Sequence, residues 1–304
     1  MSIPSPMQRD EFETERPNPA SEGLDELSIA AAFDVLQAED ARVPAAIAAA
    51  RDDIVRAIEL VADRLARGGR LLYVGAGTSG RLGVLDASEC PPTFHSDPAQ
   101  VVGVIAGGER ALTTAVEGAE DSRAGGASDM DARGVGALDV VFGITAGGTT
   151  PYVHAAIARA KERGAATVFF ACVPRERAHD DADVSIRVVT GPEVIAGSTR
   201  LKAGTATKLV LNMVTTLAMT RLGKVHGNLM VDVDTQANAK LWQRGIGLVA
   251  RIVECDRERA EELLTQAGGR VKVAAMMGVA RLDANQARAR LGRAGGVLRR
   301  ALEG

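Results

Sequence analysis

Chemistry in this chain is concentrated in two glycine- and hydroxyl-rich segments and in the glutamates that lie between them. Gly75-Ala76-Gly77-Thr78-Ser79-Gly80-Arg81 directly follows the apolar run Leu71–Val74. Glycines there let the backbone turn sharply at a strand end and expose amide and hydroxyl donors. The helix that follows adds its positive end. The segment lacks the Gly-Lys-Ser/Thr of a P-loop and is not a full dinucleotide fingerprint. Thr145-Ala146-Gly147-Gly148-Thr149-Thr150-Pro151 repeats the arrangement after a run ending at Ile144, and Pro151 suits the start of a helix. Two such loops at strand carboxyl ends sit where open α/β sheets bind ligands. Hydroxyls and amides with few cations fit a phosphate monoester on a small molecule. Gly77, Thr78, Ser79, Gly148, Thr149 and Thr150 are therefore the expected phosphate cradle. Ser198, Thr199 and Lys202, in Gly197–Thr205, either cap a long helix or contact the same anion.

Glu89 lies in Asp86-Ala87-Ser88-Glu89-Cys90-Pro91-Pro92, where two prolines are expected to halt a helix. Glu120 lies in an acidic cluster with Glu117 and Asp121. Two carboxylates near one pocket can divide the work of base and acid when their environments differ. Residue type alone does not choose Glu120 over Glu117. The four histidines (His95, His154, His179, His226) show no metal-ligand spacing, so no metal is expected. Cys90, beside Glu89, reads as small buried filler.

These segments are spaced by elements that can hold them. Apolar runs at Leu71–Val74, Val101–Ile105, Asp139–Ile144, Ala166–Ala171 and Val184–Val189 alternate with helical stretches, among them Arg110–Ala119 and Tyr152–Arg163. Near-continuous apolar strands with helical crossovers predict a doubly wound, five-stranded parallel α/β sheet flanked by helices. A helix is predicted from Val43 to Ala66, and a long one from Leu201 to Arg221 with Leu209, Met213, Leu217 and Leu222 as its apolar line. The expected organisation is an extended arm over 1–25, a sheet domain with N-terminal helices over 26–248, and a small three-helix, UBA-like domain over 249–304.

The chain has 304 residues, 46% hydrophobic and 25% charged, as in ordinary globular proteins. No apolar stretch is long enough to span a bilayer. The first 15 residues do not form a secretory signal, and three scattered cysteines do not suggest a disulfide framework, so a cytoplasmic protein is expected. Net charge is −3, against general nucleic-acid binding. The tail from Arg251 is locally basic, with 11 Lys and Arg against 7 Asp and Glu, and reads as a solvated helical module.

Several long blocks resemble the N-acetylmuramic acid 6-phosphate etherases, a branch of the sugar isomerase (SIS) fold. They are Gly75–Gly83 running into Leu85-Asp86-Ala87-Ser88-Glu89-Cys90-Pro91-Pro92-Thr93, then Ala115–Ser122, Gly197–Thr205 and Gly223–Val233. The arm from Thr14-Glu15 through Asn18 and Ser21 is also similar to the family's N-terminus. The resemblance implies a cofactor-independent lyase that cleaves the D-lactyl ether of a sugar phosphate in cell-wall recycling. It places the catalytic pair on Glu89 and Glu120. It also implies a homodimer with the site near the subunit interface. Many relatives read Ala-Ser-Gly-Arg-Thr-Pro where this chain has Ala146–Pro151, so Thr149, Thr150 and backbone amides must serve without that serine and arginine. An aldose–ketose isomerase on the same fold, or a non-catalytic sugar-phosphate sensor, is the rival expectation.

Overall fold

A computed structural model describes residues 13–304 of the chain. Of the arm expected over residues 1–25, residues 1–12 lie outside the described part. The remainder is made of short 3-10 turns at Glu13–Glu15, Pro19–Ser21 and Leu24–Glu26. Helices α1 (Ile29–Asp40), α2 (Val43–Ala49) and α3 (Arg51–Ala66) follow. Then come β1 (Leu71–Gly75), α4 (Gly77–Phe94), β2 (Val101–Ile105), α5 (Arg110–Thr113), α6 (Arg123–Ala132) and β3 (Val140–Ile144). The sheet is completed through α7 (Pro151–Glu162), β4 (Ala166–Ala171) and β5 (Val184–Arg187), and α8 (Lys202–Arg221) follows it. The chain ends in α9 (Ala239–Val253), α10 (Arg257–Gln266), α11 (Val271–Ala280), α12 (Ala284–Arg293) and α13 (Leu298–Glu303).

Chain contacts divide the protein into two compact units: residues up to Ala87 with Val101–Val214, and Ser88–Gln100 with Thr215–Gly304. The first holds a five-stranded, all-parallel sheet in the order β2-β1-β3-β4-β5. The strands are apolar on both faces because helices cover both. On one face Leu72, Val74, Val141 and Phe169 pack with Tyr152, Val153, Ala156 and Ile157 of α7. Tyr73 and Phe142 meet edge-to-face at 5.4 Å between ring centroids, and the Tyr73 hydroxyl donates to the Leu211 carbonyl of α8. β1 and β3 are adjacent in register, Gly75 opposite Ile144. Just before these strands begin, Asp139 accepts from the Arg70 backbone N–H and, bidentately, from its guanidinium, with Nη2 at 2.6 Å. That clamp aligns the two strands whose far ends carry the glycine loops.

The strand order reverses between β1 and β3, so the crevice beyond their carboxyl ends is the topological switch point. Both glycine loops open there.

Three local readings change. The helix through Glu89 does not stop at Pro91-Pro92 but runs to Phe94, and His95 ends it with a left-handed backbone (φ 49°) while its N–H reaches the Pro91 carbonyl. The prolines lie close to the carboxyl end, so their missing N–H groups cost only bonds in the last turns. The helix expected over Arg110–Ala119 ends at Thr113. β-Branched Thr113 and Thr114 are weak helix formers, Thr114 is extended, and Gly118 turns left-handed at φ 73° into a 3-10 turn at Ala119–Asp121. The helix from Val43 to Ala66 is broken at Ala50, whose N–H bonds to Ile47 and keeps Val43, Ile47, Ile54, Ile58, Val61 and Leu65 on one buried line.

The second unit has its own core, built from Ile246, Val249, Leu263, Leu264, Ala274, Met276, Leu291 and Leu298. α11 is apolar nearly all round because α9, α10, α12 and α13 pack against it. Among the described residues no helix is long and apolar enough to cross a membrane.

Candidate active site

The β1–α4 connection is so tight that only glycines fit at both ends. A Cβ on Gly75 would sit 2.7 Å from the Gly80 nitrogen, and one on Gly80 would sit 2.8 Å from the Gly75 carbonyl oxygen. The chain enters α4 through Gly77 at φ 53°, leaving Thr78 and Ser79 in the first turn, where backbone N–H groups lack intrahelical acceptors.

The second loop is braced from inside. Thr145 Oγ1 accepts the Gly148 N–H at 3.1 Å and lies 3.0 Å from Thr150 Oγ1. His154, one turn into α7, has Nε2 2.7 Å from the Gly148 carbonyl oxygen. Because a carbonyl only accepts, Nε2 carries the proton. Gly148 itself is at φ 83°, against Ala178.

These loops line a cleft of about 430 Å³ with Thr78, Ser79, Thr145, Thr149 and Thr150. Glu120 and Asp121, in the 3-10 turn after α5, line it too, as do Thr14, Glu15, Gly197 and Thr199. Hydroxyls and N–H donors and a group of carboxylates thus share one cavity, with neither lysine nor arginine among its described lining residues. Among the described residues no three His, Cys, Asp or Glu side chains gather as a metal-binding set.

Of the residues expected from sequence, Gly77, Thr78, Ser79, Thr149, Thr150, Thr199 and Glu120 line the cleft. Glu117 does not. Gly148 shapes the second loop from behind, and Ser198 turns its N–H to the Ile195 carbonyl. Glu89 lies on an exposed stretch of α4 in the second unit, whereas the cleft is lined from the first. Lys202 is placed elsewhere: it is 1% exposed and its ammonium pairs with Glu39. Glu39 also accepts from Asn18 at 2.7 Å and Arg42 at 2.9 Å. Burial alone would raise the Glu39 carboxyl, but the bonds from Lys202, Arg42 and Asn18 outweigh it and hold it down at about 2.

The choice left open for Gly197–Thr205 divides between residues. The amino end of α8 is capped by neither Ser198 nor Thr199 but by buried Glu193, which accepts the Lys202 and Ala203 N–H groups at 2.9 Å each. Burial raises the Glu193 carboxyl. Sequence reasoning did not find Glu15, Thr14 or Thr145 as lining residues. The Thr14-Glu15 pair was visible only as part of a terminal block, with no local pattern tying it to loops far along the chain.

A five-stranded parallel sheet with two hydroxyl-bearing glycine loops at its switch point fits the SIS class of folds. In agreement, residues 53–161 match the family described as glucokinase regulatory protein N-terminal SIS domain. An N-acetylmuramic acid 6-phosphate etherase from Synechocystis sp. is 52% identical over 290 residues, 95% of this chain and 95% of that protein. Another, from Gloeobacter violaceus, is 54% identical over 290 residues, covering 95% of this chain and 94% of the relative. The chain belongs to the N-acetylmuramic acid 6-phosphate etherase family.

Proposed function

We propose that this chain is an etherase that cleaves N-acetylmuramic acid 6-phosphate into N-acetylglucosamine 6-phosphate and D-lactate. The observation that carries the reading is identity above half with etherases along 95% of this chain and 94–95% of theirs. In the open-chain sugar the lactyl ether oxygen is β to the aldehyde, so the C2 proton is acidic. A carboxylate removes that proton, the C3–oxygen bond breaks, and a carboxylic acid protonates the departing lactate. Water then adds at C3 of the unsaturated aldehyde and a proton returns to C2, so the net change is hydrolysis of the ether. Two carboxyl groups suffice for these transfers.

Glu120 is the proposed base at C2, and Glu89 the proposed acid at lactate that afterwards activates water. Thr78, Ser79, Thr149 and Thr150 suit the phosphate, since their hydroxyls and the N–H groups of the first turn of α4 are donors in the same cleft. The active form we propose is a homodimer with the site near the subunit interface. Exposed Leu85 on α4 and exposed Met213 and Leu217 on α8 support it.

The test is incubation with N-acetylmuramic acid 6-phosphate and an enzymatic assay for D-lactate. Stoichiometric lactate release is expected. Binding of the sugar phosphate without any release would leave a sensor in place of the lyase.

A further inference from the structure

We propose that Glu15 is a substrate-contacting residue whose carboxylate accepts hydrogen bonds from the neutral donors of the sugar, its hydroxyls or its amide N–H. The inference rests on the etherase reading for the identity of the sugar, and adds a specificity-determining residue supplied from the N-terminal segment.

Glu15 lines the cleft, yet it forms no hydrogen bond or ion pair with another described residue. Thr14, beside it in the same lining, has a buried Oγ1 with no hydrogen-bond partner among the described residues. Native interiors rarely leave such groups unsatisfied, so this hydroxyl beside the cleft calls for a partner that the described residues do not supply.

The backbone that carries Glu15 is fastened to residues far along the chain. The Gly197 N–H donates to the Thr14 carbonyl at 2.9 Å. Asn18 Nδ2 donates to the Pro192 carbonyl at 3.1 Å, and Ser21 Oγ donates to the Val194 carbonyl at 2.8 Å. Three bonds therefore fasten the segment from Thr14 to Ser21 along residues 192–197. Gly197 makes room as well: a Cβ there would lie 2.7 Å from Glu15 Oε2, and its φ of 77° already disfavours any other residue. Gly197 is thus a positioning residue for Glu15.

Charge decides what Glu15 can bind. Phosphate and the lactyl carboxylate are both anions and would be repelled by it. What remains on this substrate is neutral: hydroxyl and amide N–H groups, which a carboxylate accepts strongly. Its contribution is therefore to recognition of the sugar and not to capture of the phosphate.

The test compares Glu15→Ala, Glu15→Gln and Gly197→Ala with the unaltered protein. The readouts are KM and kcat for lactate release, calorimetric Kd for N-acetylglucosamine 6-phosphate, and inhibition by inorganic phosphate. Losing a hydrogen bond to a charged group predicts that Glu15→Ala raises KM and Kd by about 10-fold or more, with kcat within about threefold. Glu15→Gln, nearly the same shape and still an acceptor, should lose less. Gly197→Ala should resemble Glu15→Ala because the new methyl group displaces the carboxylate. Inorganic phosphate should inhibit as well as before or better, since an anion has been removed. KM and Kd within twofold of normal in Glu15→Ala would overturn the proposal, and so would an equal loss of phosphate inhibition, which would mean that the cleft itself had deformed. Should the unaltered protein bind N-acetylglucosamine 6-phosphate in a Glu15-dependent way but release no lactate, the etherase reading fails and this assignment stands.

Discussion

Replacing Lys202 by Met should destabilise the protein by about 3–4 kcal/mol, because it strands a buried carboxylate. Glu39 is 4% exposed and Lys202 is 1% exposed, so neither charge can turn to water. Moving a carboxyl from 4.5 to about 2 corresponds to about 3 kcal/mol of preference for its charged form. Asn18 and Arg42 supply part of that, but the Arg42 side chain is 64% exposed and its attraction is screened by solvent. Lys202 therefore holds the largest share. The assay is urea unfolding at pH 7 of the unaltered protein, Lys202→Met, Glu39→Gln and the double variant. The double variant should cost less than the two single changes combined, with a coupling of at least about 1.5 kcal/mol, since neither partner is then left charged and buried. The pH dependence has a definite sign. A folded carboxyl held below its unfolded value stabilises fully above about 4.5, and this contribution disappears as pH falls towards 2. Glu39→Gln should accordingly lose less stability than the unaltered protein between pH 5 and pH 3. A Lys202→Met cost below about 1 kcal/mol, or additive single changes, would refute the reasoning. A gripped phosphate would show differently: Lys202→Met would weaken inhibition by inorganic phosphate while leaving the urea midpoint in place.

Glu120→Gln and Glu89→Gln should each keep the fold and slow lactate release by at least about 10²-fold, whereas Glu117→Gln should do much less; near-normal rates in both would remove the proposed pair. In heavy water, the variant lacking the C2 base should stop exchanging deuterium at C2, which proton magnetic resonance reads directly. Gly148→Ala should raise KM several-fold and lower stability, because a methyl group there meets Ala178 at 2.4 Å in a backbone region disfavoured for alanine; an unchanged KM would show that the second loop does not touch substrate. Asp139→Asn should cost about 1.5–3 kcal/mol in urea unfolding, since the charged partner of Arg70 is lost. Light scattering at micromolar concentration should give twice the chain mass, and a stable monomer would count against the dimer.

The strands, the crossovers and both glycine loops were legible because their signals are local. An apolar run bounded by glycine and followed by helical periodicity needs no knowledge of distant residues. Gly75–Arg81 and Thr145–Pro151 could therefore be placed at strand carboxyl ends, whereas the strand order that makes this the switch point came from the folded sheet. Where apolar residues fall on more than one side of a helix, periodicity stops discriminating. In α8 the buried line is Val210, Leu211, Val214, Ala218 and Met219, while the predicted Met213 and Leu217 are exposed. Packing against the sheet and neighbouring helices chooses the side, and that choice is not written in the helix.

The remaining decisions belong to contacts between residues far apart in the chain. Lys202 looks like a phosphate ligand beside Ser198 and Thr199, but its partner Glu39 lies 163 positions away. Burial removes water as an alternative, so the ammonium pairs with the Glu39 carboxylate. Glu120 and Glu117 are equivalent by residue type. The left-handed Gly118 turns one of them into the cleft, and only the tertiary path of Thr114–Asp121 shows which. Glu15 enters the cleft because the segment around it is fastened to residues 192–197. Sequence alone determined which groups the chain owns and which loops can hold an anion. The tertiary structure decided which of those groups meet, because charge and hydrogen-bond partners are selected by distance in space and by exclusion of water.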